Sequence, residues 1–147
     1  MRSQFIGTWK LLTITYRSEN NEPRYPFGQE FTGLLIYDSS GYVSVQLVRY
    51  DRPLFAFDDM FGGTDSEVRA AFEGLNTYFG RFSVDEAAGT VTNHIEAASL
   101  PNRRGHEQVR RYEFVEGRLR LHTSPRLLNG EMLTGVLVWE RVPMLAG

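Results

Sequence analysis

One stretch of the chain carries polar chemistry into an otherwise apolar alternation. Gln108, Arg110, Tyr112 and Phe114 alternate with Val109, Arg111, Glu113 and Val115. A period of two puts these sets on opposite faces of a strand. The second set carries Arg111 and Glu113 and belongs to solvent, so Arg110 points inward. A guanidinium inside a fold costs on the order of several kcal/mol unless it is paired. Arg110 therefore calls for a carboxylate or an anionic ligand.

The segment before it, Thr90–Ala98, offers partners. With a symmetric connection, His94 faces Arg110 and Glu96 faces Gln108, with Glu96 diagonal to Arg110. Cross-strand neighbours lie ~5 Å apart and diagonal ones ~7 Å, within an arginine's reach. His94 titrates near neutrality, and Arg110 can hold Glu96 ionised or polarise a carbonyl. A His94–Glu96–Arg110 constellation would thus move protons. The opposite parity is also open. A plain turn after Asp85 sets Val91 and Ile95 inward beside Phe82 and Val84, and a bulge at Gly89 reverses this. The inward His94 supplies Arg110 with a partner and is the expectation carried forward. Other inward side chains follow from alternation. Arg49 on the outside implies Ser44 and Gln46 inside, with Val43, Val45 and Leu47 outside under a cover. Tyr78 shares its face with Phe82, and Trp139 with Leu137. Gln46, Tyr78, Gln108, Tyr112 and Trp139 are thus candidate ligand contacts.

Eight short runs rich in β-branched and aromatic residues must position these groups: Phe5–Tyr16, Thr32–Asp38, Gly41–Tyr50, Thr77–Asp85, Thr90–Ala98, His106–Val115, Arg118–Ser124 and Met132–Val142. One helix interrupts them near residues 65–76. Thr64 and Glu67 form a capping box, and Val68, Ala71, Phe72 and Leu75 make one apolar stripe. Connections alternate between tight turns (Ser39-Ser40, Glu86–Gly89, Glu116-Gly117) and long loops. In an up-and-down meander all tight turns then fall at one end and all long loops at the other. The expected architecture is all-β: a single domain over 1–147, an eight-stranded antiparallel barrel with a closed base and an elaborated mouth. Phe55, Phe57, Met60 and Phe61 crowd one mouth loop before Gly62-Gly63. They are either core plugging the barrel end or, with the glycines as hinge, a lid that contacts a ligand through Phe57 and Phe61.

With 147 residues, 41% of them hydrophobic and a net charge of −2, the chain has no global basic field for nucleic acid or anionic membrane. It has no cysteine, hence no disulfide or thiolate metal site. His106 and His122 lack metal spacing and are expected at the surface. No cofactor or metal is expected. The opening Met1–Trp9 lacks a signal-peptide core and no run could span a bilayer, so a cytoplasmic location is expected.

Gly7-Thr8-Trp9 resembles the Gly-x-Trp opening of lipocalins, and Arg141 matches the late arginine that packs across that tryptophan. The bacterial and fungal lipocalin-like domain family is a closer match. Tyr25–Gly28, Gly33–Tyr37, Gly41–Gln46 and Arg52-Pro53 resemble its first half. Thr92–Glu96, Pro101-Asn102, Gly105, Gln108–Arg110, Leu119-x-Leu121 and Val138–Arg141 resemble its second. The chain departs from the family at Asn93, where a histidine is frequent, and at Arg103, where an aromatic is frequent. The resemblance implies a lipocalin-like barrel with a cavity, often in secondary-metabolite pathways. The resemblance implies no single reaction, and two functions stay open. The inward polar cluster points to the first, which is the expectation, and the lack of a decisive catalytic motif to the second, its alternative. One is an enzyme that positions an apolar, carbonyl-bearing polyketide- or terpenoid-like metabolite and promotes its cyclisation or isomerisation by acid–base help. The other is a non-catalytic carrier of the same kind of hydrophobic small molecule.

Overall fold

The computed structural model describes residues 2–145. Ten strands follow one another: β1 (Gly7–Arg17), β2 (Pro23–Arg24), β3 (Phe31–Tyr37), β4 (Tyr42–Arg49), β5 (Leu75–Asp85), β6 (Thr90–Ala98), β7 (Glu107–Val115), β8 (Arg118–His122), β9 (Arg126–Leu128) and β10 (Glu131–Arg141), with helix α1 (Asp65–Glu73) between β4 and β5. Eight of them form the wall, in the order β1-β3-β4-β5-β6-β7-β8-β10, and β1 pairs with β10 to close the barrel. Every pairing is antiparallel. Closure removes the exposed sheet edges that would otherwise invite aggregation. The short strands β2 and β9 extend the mouth alongside β1 and β10.

The tight-turn end is sealed by aromatics. Phe5, fully buried, precedes β1 in a 3₁₀ turn and inserts among the rings of Tyr37, Tyr112 and Phe114, with centroids 5.2, 4.9 and 5.0 Å away. Trp9 donates its indole N–H to the Phe5 carbonyl at 2.9 Å. Arg141 lies over the Trp9 ring, 4.2 Å from its centroid. The first turn, the first strand and the last strand are thereby locked together at the base.

Wall parity departs from expectation on β4. Val43, Val45 and Leu47 are buried in the core and Gln46 is exposed. Arg49 shares the inward parity, but it stands at the strand end, where its guanidinium reaches out to Asp51 at 2.6 and 2.8 Å. A charge at a strand terminus does not report which face is wet. Nor does the helix cover that wall. It begins as expected, with Thr64 accepting from the Glu67 N–H and Glu67 accepting from the Thr64 N–H. It stops at Glu73 and not near Asn76, because Leu75 and Asn76 pair with Val48 and Leu47 of β4. Its Val68 and Phe72 stay about half exposed, at 49% and 46%.

The β5–β6 turn is the plain one, pairing Val84 with Val91 and Phe82 with Asn93. Gly89 takes a left-handed φ of 69° within the turn without shifting the register. The bulge lies at the other end of the ladder, between Phe79 and Gly80, opposite Glu96. A Cβ on Gly80 would collide with the His94 carbonyl oxygen, so glycine permits the close approach. Val91, Asn93 and Ile95 are consequently buried, and His94 and Glu96 face out, opposite to the inward orientation expected for them.

Candidate functional site

Inside the barrel, above the base, lies a small cavity of about 30 Å³, room for one or two water molecules. Its floor is Tyr37 and Trp139 and its upper wall holds Tyr16, Tyr78, Asn93, Arg110 and Arg126. Above it opens a vestibule of about 450 Å³, shaped by all four long loops and α1: Pro26 and Phe27, Phe72 and Leu75, Ser99 and Leu100, and Leu128 and Asn129. Asn76 and Arg126 line both spaces, so the two adjoin. The vestibule suits a guest of one substituted ring, within the range of ordinary ligand pockets.

Arg110 reaches the interior from β7, with Gln108 buried and Phe114 packed against the core on the same face. The β6–β7 register sets Arg110 opposite Val91 and Asn93 opposite Gln108, three residues along β6 from the arrangement expected. His94 instead pairs with Glu107. Its Nδ1 lies 3.2 Å from the Glu107 carboxylate and its Nε2 3.0 Å from the Ser83 hydroxyl. Glu96 accepts from the Tyr42 hydroxyl at 3.3 Å on the same outer surface. The three residues expected to act together are therefore divided by the wall, with Arg110 alone inside.

The remaining expected contacts also sort by position. Tyr78 and Trp139 line the inner cavity. Tyr112 belongs to the base, edge-on to Phe5. Gln46 is on the outer surface. Phe57 and Phe61 are 73% and 91% exposed; Phe57 borders an outer hollow with Arg49 and Met60, and neither side chain lines the inner cavity or the vestibule. His122 is not at the open surface as expected. It is half-buried, 2.6 Å from the Glu113 carboxylate.

Tyr16, Asn93 and Arg126 were not anticipated. Tyr16 falls on the inner face because a bulge between Leu11 and Thr13 shifts the parity of β1. Asn93 was findable, since it alternates with Val91 and Ile95. Several polar atoms here have no hydrogen-bond partner: the Tyr37 hydroxyl, the Trp139 indole N–H and the Asn93 carbonyl oxygen. A buried donor left unmet costs about 1–3 kcal/mol. Burial raises the Tyr37, Tyr78 and Tyr16 hydroxyl pKa values, against the pull of Arg110 and, for the latter two, Arg126. These phenols are protonated donors across the physiological range.

A closed antiparallel barrel with a sealed base, a mouth of long loops and a polar-dotted apolar interior defines a small-molecule-binding protein of the lipocalin-like class. The chain matches the lipocalin-like domain family over residues 6–142, nearly its whole length, and belongs to that family. It is also 30% identical, over 110 residues, to the 4'-hydroxy-3'-methoxypropiophenone carrier protein ppsC of Aspergillus oryzae. The match takes in 70% of this chain and 99% of the relative. Among the described residues no helix is long and apolar enough to cross a membrane.

Proposed function

We propose that the barrel carries a small aryl or similarly apolar ketone, of polyketide-like type, in the cytoplasm as part of secondary metabolism. The observation that carries this reading is the buried Trp139 indole N–H, which has no protein acceptor and belongs to the same cavity lining as the unpartnered Tyr37 hydroxyl. Two unpartnered donors lining one largely apolar cavity suit an acceptor oxygen, as a carbonyl supplies. The relative's name describes cargo of the same kind, an aryl ketone with ring oxygens. The absence of cysteine leaves nothing in the fold dependent on an oxidising compartment.

A catalytic reading draws on Arg110, whose guanidinium could polarise a guest carbonyl or hold an enolate for cyclisation or isomerisation. The outward position of His94 and Glu96 takes the proton-moving groups away from the cavity and favours carriage. The test uses the neutral dye N-phenyl-1-naphthylamine, whose fluorescence rises on apolar burial. It should bind, be displaced by propiophenone, and be displaced at least several-fold less well by propylbenzene. Failure of the folded protein to bind dye or ketone would sink the carrier reading.

A further inference from the structure

Arg110 and Arg126 line the same cavity, and neither has an acidic partner within 4.0 Å among the described residues. The carboxylates of the described ion pairs are engaged elsewhere. Glu73, at the vestibule rim, is bound to Arg69 at 2.6 Å, and Glu131 is bound to Arg24 at 2.9 Å. The inner lining contains no Asp or Glu at all. Arg110 makes one weak bond, to the Val109 carbonyl at 3.3 Å, and the Nε of Arg126 is buried without an acceptor. Arg103 adds a third cation near Arg126. The groups facing the pair are the phenols of Tyr16 and Tyr78, which burial keeps protonated.

Two guanidinium groups lining one cavity with no carboxylate among its lining disfavour an empty barrel. Burial, with Arg103 and Arg110 close by, already holds the Arg126 guanidinium below its ordinary pKa. Such an arrangement is stabilised by one thing that the chain itself does not supply: negative charge arriving with the guest. From this geometry we infer that the guest is an organic anion, an aryl oxyanion such as an ionised phenol, with its charged oxygen between Arg110 and Arg126. The inference rests on the carrier reading and narrows its ligand class.

The probe is 4-nitrophenol, whose ionised form absorbs visibly, with 4-nitroanisole as its neutral counterpart. With protein in excess, a preference of about tenfold for the anion lowers the bound phenol's pKa by about one unit. The expected result is a downward shift of at least that size, with 4-nitroanisole binding at least about tenfold more weakly than the anion. Arg110→Met and Arg126→Met should each reduce the shift, and Arg111→Met, which removes the same charge from the outer face, should leave it intact. Circular dichroism checks that each variant is folded. If nitrophenol binds without a shift, or fails to bind while N-phenyl-1-naphthylamine binds, the anion inference is overturned and the carrier reading stands. A shift that survives in the Arg110→Met/Arg126→Met double variant also overturns it, because the anion then sits elsewhere. If neither the dye nor nitrophenol binds, both readings fall.

Discussion

Arg141 spans the base by touching Gly7 as well as Trp9. A Cβ on Gly7 would lie 2.6 Å from the Arg141 Nη1. Gly7 has φ 138°, a conformation that costs other residues strain. The same guanidinium bonds the carbonyl oxygens of Ile6 at 2.7 Å and Gln4 at 2.6 Å. The glycine two residues before the tryptophan is thus the space in which the arginine lies.

Gly7→Ala should cost about 2 kcal/mol, from the strained φ and the collision. Arg141→Leu should cost about 1 kcal/mol for the lost ring and carbonyl contacts. The double variant should lose less than the sum, because the collision vanishes with the arginine. Urea unfolding of the four proteins measures the coupling, and strict additivity would refute the shared-space account.

Trp139→Phe removes a donor that no protein group accepts. Stability should therefore change by about 1 kcal/mol or less, far below the usual cost of altering a core tryptophan. The variant should still bind N-phenyl-1-naphthylamine and lose its preference for propiophenone over propylbenzene. Retained preference would assign the carbonyl to another donor.

Phe57→Asp and Phe61→Asp decide whether the aromatic loop acts as a lid. Both side chains are already exposed, so the unfolding free energy should stay within about 0.5 kcal/mol of the parent. If the loop folds over a bound guest, dye affinity drops by several-fold in each variant. Parental affinity in both would retire the lid and leave Phe57 and Phe61 outside the binding process.

Glu67 ties that loop to the helix, accepting from the N–H groups of Thr64 and Ala56, both at 2.8 Å. These bonds, with that of Thr64 first, hold its carboxyl below the usual glutamate pKa. The depressed value means that the tether is complete above the ordinary value of 4.5 and is lost as pH falls through the folded one. The amide proton shifts of Ala56 and Thr64 should titrate together with a midpoint below 4.5, and Glu67→Gln should abolish the titration. Independent midpoints would mean that no shared tether exists.

The barrel was legible because its evidence is repeated. Eight strand-like runs, with tight turns at every second connection, leave little freedom for the meander. The inward Arg110 was legible for a similar reason, since charges at Arg111 and Glu113 mark the wet face on both sides of it. The orientation of His94 was not. On β6, Thr92, His94 and Glu96 oppose Val91, Asn93 and Ile95, so both faces hold hydrogen-bonding side chains. The parity is decided by the plain turn at one end and the bulge opposite Gly80 at the other. Gln46 was misplaced because Arg49, at its strand end, is a poor marker of the wet side. Tyr16 was hidden by the bulge in β1, which puts residues 9 and 16 on one face although they are an odd number apart. Arg126 opens β9, a three-residue strand too short to show periodicity, and only the assembled mouth reveals what it approaches.

The aromatic seal around Phe5 also governs traffic. If the barrel carries cargo as proposed, a base stoppered in this way sends it out through the same mouth by which it entered. A supplier and a receiver of that cargo would then both have to address the same face, formed by the four long loops. They must do so in turn, because one blocks the other. On the carrier reading, a handover is then a relay whose pace is set by how fast that mouth clears.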